Sequence, residues 1–248
     1  LVKGPGRAFC IILLDFDGIY ANQSELCLRA DIVISSEIRE VKYMCSPSKL
    51  KEIGTLIPSK GRFIAFLGGG EYHHLSLLFL KRVKIPFFLL LFDKHLDALK
   101  KGGEFIRCDS WLNCALELKN LLGVIFIGRR ERRFGKIHIM PPDGLKITRA
   151  IKDKAVYISI DKDILDVPLT RWGKGWLPLS ELLRTLSFIP KDKVVGVDVC
   201  GEPEELCLWK MPESERINLE IVKALEPDLR GLRSFGHGRF FFLPVSIP

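Results

Sequence analysis

Apolar residues cluster along the chain in short runs at 9–14, 31–34, 62–67, 86–92, 123–127, 136–139, 155–160 and 194–199. Each is rich in Ile, Val, Leu or Phe and closes on polar residues or glycine. Runs without alternation fit strands buried on both faces, as in a parallel sheet. Between them, segments 46–56, 74–82, 110–122, 179–186 and 213–225 place apolar residues three and four apart, the spacing of one helix face. Strand and helix alternate throughout, with no internal repeat, low-complexity tract or linker-like break. The pattern predicts a single three-layer α/β/α domain over residues 1–248 with a mainly parallel sheet.

Composition narrows the function classes. The 248 residues carry 38 Lys+Arg against 30 Asp+Glu, a net charge of +8, which hints at anionic partners. The densest basic stretch, Arg129-Arg130-Glu131-Arg132-Arg133, has no interleaved aromatics and includes an acid. It reads as a solvated loop, and nucleic acid is not the expected partner. The seven cysteines form no Cys-x-x-Cys pair, which argues against a zinc ribbon or a disulfide scaffold and for a reducing, cytoplasmic setting. The run at 9–14 is too short for a signal segment, and no run has the length of a membrane span. A single glutamine, Gln23, amid many charged residues is compatible with a thermophile.

In a parallel sheet, ligand groups gather beyond the carboxyl ends of the strands. After run 62–67 comes Gly68-Gly69-Gly70-Glu71-Tyr72-His73-His74, a glycine turn feeding a histidine pair into a helix start. Asp93-Lys94-His95-Leu96-Asp97 follows run 86–92, and Asp161-Lys162-Asp163 follows run 155–160. Four aspartates and at least two histidines thus share one predicted sheet edge. Carboxylates so close raise one another's pKa unless a cation neutralises them. Imidazole mixed with carboxylate suits Mn, Fe, Co, Ni or Zn better than Ca. Two ions sharing bridging carboxylates would use all these ligands and activate water near neutral pH.

These three motifs resemble the metal motifs of the arginase/agmatinase (ureohydrolase) superfamily, in order and spacing over roughly residues 60–205. Those motifs read Gly-Gly-Asp/Glu-His, Asp-Ala-His-x-Asp, and Asp-x-Asp followed by leucine. Here the first is Gly69-Gly70-Glu71-Tyr72-His73, with Tyr72 as an extra residue. The likeness is greatest to divergent arginase-like proteins with a Tyr-His-His motif. It implies one divalent ion held by His73, Asp93, Asp97 and Asp161, and a second held by Asp93, His95, Asp161 and Asp163. Mn2+ is the expected metal. It further implies that a metal-bridging hydroxide attacks an sp2 carbon bonded to nitrogen, and that Asp97 relays its proton. His74 competes with His73 for the ligand position, and His73 is favoured because His73-His74-Leu75-Ser76 overlays the family's His-x-x-Thr. Ureohydrolase relatives are often trimers or hexamers, so a homo-oligomer is a further expectation.

The substrate side departs from the family. Where a proton-shuttle histidine is expected, the chain reads Arg107-Cys108-Asp109-Ser110-Trp111. Where a glutamate should hold a guanidinium, it reads Asp198-Val199-Cys200-Gly201-Glu202-Pro203, with Cys200 or Gly201 at that position. Asp109 and Glu202 are therefore the candidate catalytic acids beside Asp97, for proton transfer or cation binding. Cys108 and Cys200 read as inert filler. The expected substrate is a small guanidine, amidine or formimino compound rather than arginine itself. Two alternatives stand beside this reading. One is a catalytically altered binding protein on the same fold. The other is a haloacid-dehalogenase-like phosphatase, because Leu14-Asp15-Phe16-Asp17-Gly18 resembles that family's nucleophile motif, with Asp15 attacking phosphorus and Asp17 as acid/base. Of the remaining histidines, His138 alternates like a strand residue, and His237 lies in a glycine-flanked turn.

Overall fold

The computed structural model describes residues 9–35, 40–99, 103–129 and 135–226; Arg130–Arg133 of the basic stretch and His237 lie outside them. Eight strands form one sheet: β1 (Cys10–Leu14), β2 (Ile32–Ile34), β4 (Phe63–Phe66), β5 (Phe87–Phe92), β7 (Leu121–Ile127), β8 (Ile137–Ile139), β9 (Ala155–Asp161) and β10 (Val194–Cys200). They are the eight runs legible in the sequence. Their order is β2-β1-β4-β10-β9-β5-β7-β8, and every pairing is parallel. A separate antiparallel pair, β3 (Met44–Cys45) with β6 (Ile106–Arg107), was not foreseen, because two-residue strands carry no periodicity.

Seven α-helices cover the sheet: α1 (Ser24–Arg29), α2 (Pro47–Leu56), α3 (Ser76–Leu80), α4 (Trp111–Leu116), α5 (Gly144–Ile151), α6 (Leu179–Phe188) and α7 (Met211–Leu225). Alternation in the strands splits the core in two. Phe87, Leu89 and Leu91 of β5 pack with Leu50 and Ile53 of α2, Leu77 of α3 and Trp111 of α4. Leu90 and Phe92 point the other way, toward Leu26 of α1, Ile147 of α5, Leu182 of α6 and Ile221 of α7. This is the three-layer α/β/α arrangement that the pattern predicts.

Local chemistry explains several boundaries. Ser46 caps α2 by accepting the Lys49 N–H at 3.1 Å, with Pro47 at the first helical position. Asp143 does the same for α5 through Lys146 N at 3.1 Å. The helix expected over 110–122 stops at Leu116, because Leu121 onward is claimed by pairing with β5. Helical spacing there lost to long-range strand pairing. Among the described residues no helix is long and apolar enough to cross a membrane.

Candidate metal centre

All eight strands run in one direction, so the turns after β4, β5, β9 and β10 meet at one edge of the sheet's middle. After β4 the chain passes Gly68, whose φ of 95° and contact with the Tyr72 ring exclude a side chain. Its N–H donates to the Tyr20 hydroxyl at 2.7 Å. A 3-10 turn, Gly70–Leu75, then takes up the extra Tyr72, which packs against Phe16, and delivers His73 to the edge. The histidine pair therefore sits in a 3-10 turn, ahead of α3.

His73 Nδ1 faces three carboxylates: Asp97 Oδ2 at 3.0 Å, Asp93 Oδ2 at 3.3 Å and Asp161 Oδ2 at 3.7 Å. His95 Nδ1 faces Asp163 Oδ2 at 2.8 Å. Backbone amides orient the acids: His95 N–H donates to Asp93 Oδ1 at 2.7 Å, Lys94 N–H to Asp163 Oδ1 at 3.2 Å, and Asp163 N–H to Asp161 Oδ1 at 2.9 Å. Asp97 adopts a left-handed φ of 51° and accepts the Trp111 indole N–H at 3.0 Å. All six residues singled out from the motifs are thus brought together in three overlapping groups: His73 with Asp93 and Asp97, His73 with Asp161 and Cys200, and Asp93 with His95 and Asp163.

The charge balance of this cluster calls for a cation. Burial, and then repulsion from Asp163, pushes Asp161 up to about 7. Burial and then Asp97 push Asp93 up as well. Burial alone would lower His73, but the acidic groups around it, Cys200 first and then Asp93 and Asp97, hold it well above its ordinary value. The donor set passes a stricter test. His73 Nδ1, Asp93 Oδ2 and Asp163 Oδ2 are buried, and their short contacts lack hydrogen-bond geometry, a costly state unless something cationic stands between them.

A buried chain behind His73 fixes which nitrogen is free. Ser159 Oγ donates its only hydrogen to Asp198 Oδ1 at 2.7 Å, so at the 3.0 Å contact with His73 it must accept the Nε2 hydrogen. In the neutral ring Nδ1 then carries the lone pair, on the side of the carboxylates. The Tyr157 hydroxyl donates to the other Asp198 oxygen at 2.8 Å. Sequence reasoning missed this relay, although Tyr157, Ser159 and Asp161 alternate on one face of β9. His74 turns away. Its ring is buried with both nitrogens unpartnered, and burial, then His73, push its pKa down to about 3. Among the described residues His74 joins none of the candidate metal-ligand groups, two of which include His73.

The expected substrate-side acids are not in this cluster. Glu202 is buried on the far side. Lys162 Nζ donates to its Oε1 at 2.6 Å, Gln23 Nε2 to its Oε2 at 2.6 Å, Ser214 Oγ to Oε2 at 2.6 Å and Asn218 Nδ2 to Oε1 at 2.8 Å. A carboxylate so engaged is a counter-ion to Lys162, and it stands apart from the candidate metal-ligand groups. Asp109 is held by a two-point pair with Arg107 at 3.0 and 2.5 Å, part-exposed, and joins none of these groups. Gly201 has a φ of 87°, and a Cβ there would stand 2.6 Å from Asp161 Oδ1. A side chain there would be strained and would have to displace Asp161. Asp15 and Asp17 follow β1, separated from β9 by β4 and β10, and belong to none of the metal-ligand groups among the described residues. Asp15 instead accepts the Tyr20 N–H at 3.2 Å. His138 is exposed on the edge strand β8.

Comparison with known proteins agrees with this architecture. No family model matches the sequence. The chain is 44% identical over 216 residues to an uncharacterized protein of Thermotoga maritima, covering 87% of this chain and 89% of that one. Among solved structures, the proclavaminate amidino hydrolase of Streptomyces clavuligerus superposes with a TM-score of 0.66 at 17% identity, over 90% of this chain and 94% of that one. The formimidoylglutamase of Bacillus subtilis superposes with a TM-score of 0.64 at 14% identity, over 91% and 89%. The chain belongs to one family with the Thermotoga maritima protein, and its fold is that of the arginase/agmatinase ureohydrolase superfamily.

Proposed function

We propose that the protein is a hydrolase of non-peptide C–N bonds working with two divalent ions, and that its substrate is a small guanidine, amidine or formimino compound. The observation that carries this reading is the convergence of the orphaned His73 Nδ1, Asp93 Oδ2 and Asp163 Oδ2 within one six-residue cluster. His73, Asp93, Asp97 and Asp161 would hold one ion, and Asp93, His95, Asp161 and Asp163 the other. Carboxylate-rich donor sets favour Mn2+. When bound, such a pair lowers the pKa of water and polarises the carbon under attack.

The protein groups then have separable tasks. The Ser159–Asp198 relay keeps the His73 lone pair directed at the cluster. Asp97, partly exposed at the cluster's edge and held by Trp111, is placed to take a proton from the attacking water and return it to the leaving amine. The blocked Gly201 position argues against arginine as the substrate, because no carboxylate there can hold a guanidinium. The neighbours named as a formimidoylglutamase and an amidino hydrolase favour testing both of those classes. The same blocked position supports a second reading, a catalytically altered protein that keeps its ions.

The test is elemental analysis after Mn2+ reconstitution, on wild type and Asp163→Ala, with a screen of guanidines, amidines and formimino compounds for urea or ammonia release. Two ions per chain, falling to one or none in the variant, together with turnover of one class, is the expected result. Two ions without turnover across the screen would select the second reading. No bound transition metal would overturn both.

A further inference from the structure

Cys200 closes β10 in register with Asp161 on β9. Its Sγ, an Asp161 oxygen and a His73 nitrogen lie within 4.8 Å of one another, and none of the three residues is more than 5% exposed. A second feature points to a cation beside these residues. His73 Nδ1 is fully buried, and its contacts with Asp97 at 3.0 Å, Asp93 at 3.3 Å and Asp161 at 3.7 Å lack hydrogen-bond geometry. Gly201, next in the chain, has no side chain to offer and no room for one, so the contribution of β10 to the cluster is the thiol.

Donors of one ion stand about 2.0–2.3 Å from it and hence at most about 4.6 Å apart, so closure by a few tenths of an ångström lets one ion reach all three. A thiolate changes what such a site selects. Carboxylate and water suit Mn2+, whereas sulfur favours Zn2+, Co2+ or Fe2+. We infer that Cys200 is a further ligand of the ion held by His73 and Asp161, so that this half of the centre prefers a thiophilic divalent ion to Mn2+. The half built from Asp93, His95 and Asp163 keeps only oxygen and nitrogen donors. The inference rests on the two-ion reading above. Coordination forms an S–metal bond and releases the thiol proton to solvent.

The test is Co2+ reconstitution of the full chain, read by bound-metal analysis and by the near-ultraviolet thiolate-to-cobalt charge-transfer band. The inference expects two Co2+ per chain and a band that disappears in Cys200→Ser while metal stays bound. The band should persist in Cys108→Ser, which removes the thiol electrostatically coupled to Asp97. In competition, the preference for Zn2+ over Mn2+ should fall by about tenfold in Cys200→Ser. Two bound Co2+ without the band in wild type would overturn Cys200 as a ligand and leave the two-ion reading standing; this decides the matter even if Cys200→Ser fails to fold. A band lost in Cys108→Ser but kept in Cys200→Ser would also overturn it. No bound Co2+ would overturn the inference and the two-ion reading together.

Discussion

Lys162 stands between Asp161, which ends β9, and Asp163, and its replacement by methionine probes how the cluster is held. Its ammonium is fully buried, and its three hydrogens have three acceptors: Glu202 Oε1 at 2.6 Å, Ser214 Oγ at 2.6 Å and Asn218 Oδ1 at 2.9 Å. Burial lowers its pKa and Glu202 opposes that shift. Lys162→Met leaves the Glu202 carboxylate buried without its cation, a situation that costs about 3–5 kcal/mol. Urea unfolding of chelator-treated protein should show that deficit as a lowered midpoint at unchanged m-value. Adding Glu202→Gln should recover part of it, because the carboxylate left without a cation is then gone. A loss below about 1 kcal/mol, or no recovery in the double variant, would refute the view of Glu202 as a buried counter-ion.

Three further outcomes follow from the same geometry. Ser159→Ala removes the acceptor that fixes the His73 tautomer, and metal affinity measured by chelator competition should fall about 10–100-fold; unchanged affinity would mean that Ser159 does not set the free nitrogen. Gly201→Ala places a Cβ 2.6 Å from Asp161 Oδ1 at a φ of 87°, and should cost about 1–3 kcal/mol in thermal or urea unfolding while weakening metal binding. Asp17 is raised to about 6 by burial, then by Asp15 and more weakly by Glu205, against the pull of Lys42. Its folded pKa exceeds its unfolded one, so wild-type stability falls as pH rises from about 3.8 through about 6. Asp17→Asn should match wild type near the lower limit and exceed it above the upper one by about 1–2 kcal/mol, the full shift being discounted for the group's solvent access. A pH-independent difference would contradict that assignment.

The sheet was legible because its strands are buried on both faces, so that each run of Ile, Val, Leu and Phe announces itself without needing its partner. Helix α5 and the end of α4 were not, for opposite reasons. In α5 only Ile147 and Ile151 mark the buried side, besides the small Gly144. At 117–122 a helical spacing exists but Leu121 is taken by β7. The residues of the candidate metal centre could be read because each lies within a few residues of a strand end, where direction alone brings them together. His73 and His74 could be separated only by the turn. A 3-10 turn spaces side chains differently from the α-helix first expected, and it sends one ring to the acids and the other into the core.

The chemistry at the edge of the cluster depends on a finer matter, the facing of three consecutive residues after Val199. Strand alternation puts Asp198 and Cys200 on the side of Ser159 and Asp161, as the register Asp198↔Ser159 and Cys200↔Asp161 shows. Continued by two, the same alternation would bring Glu202 to the cluster as a catalytic acid. Gly201 breaks it. Its left-handed φ of 87° turns the chain, so Glu202 crosses to the layer of α7 and meets Lys162, Ser214 and Asn218 instead. One glycine thus keeps the Glu202 carboxylate away from the cluster and leaves Cys200 as the side chain of β10 beside Asp161. Motif spacing cannot register that turn, because it counts residues and is blind to the sign of a dihedral angle. Placing a carboxylate there would therefore require changing the conformation at residue 201 as well as the residue itself, since any Cβ placed there meets Asp161 first.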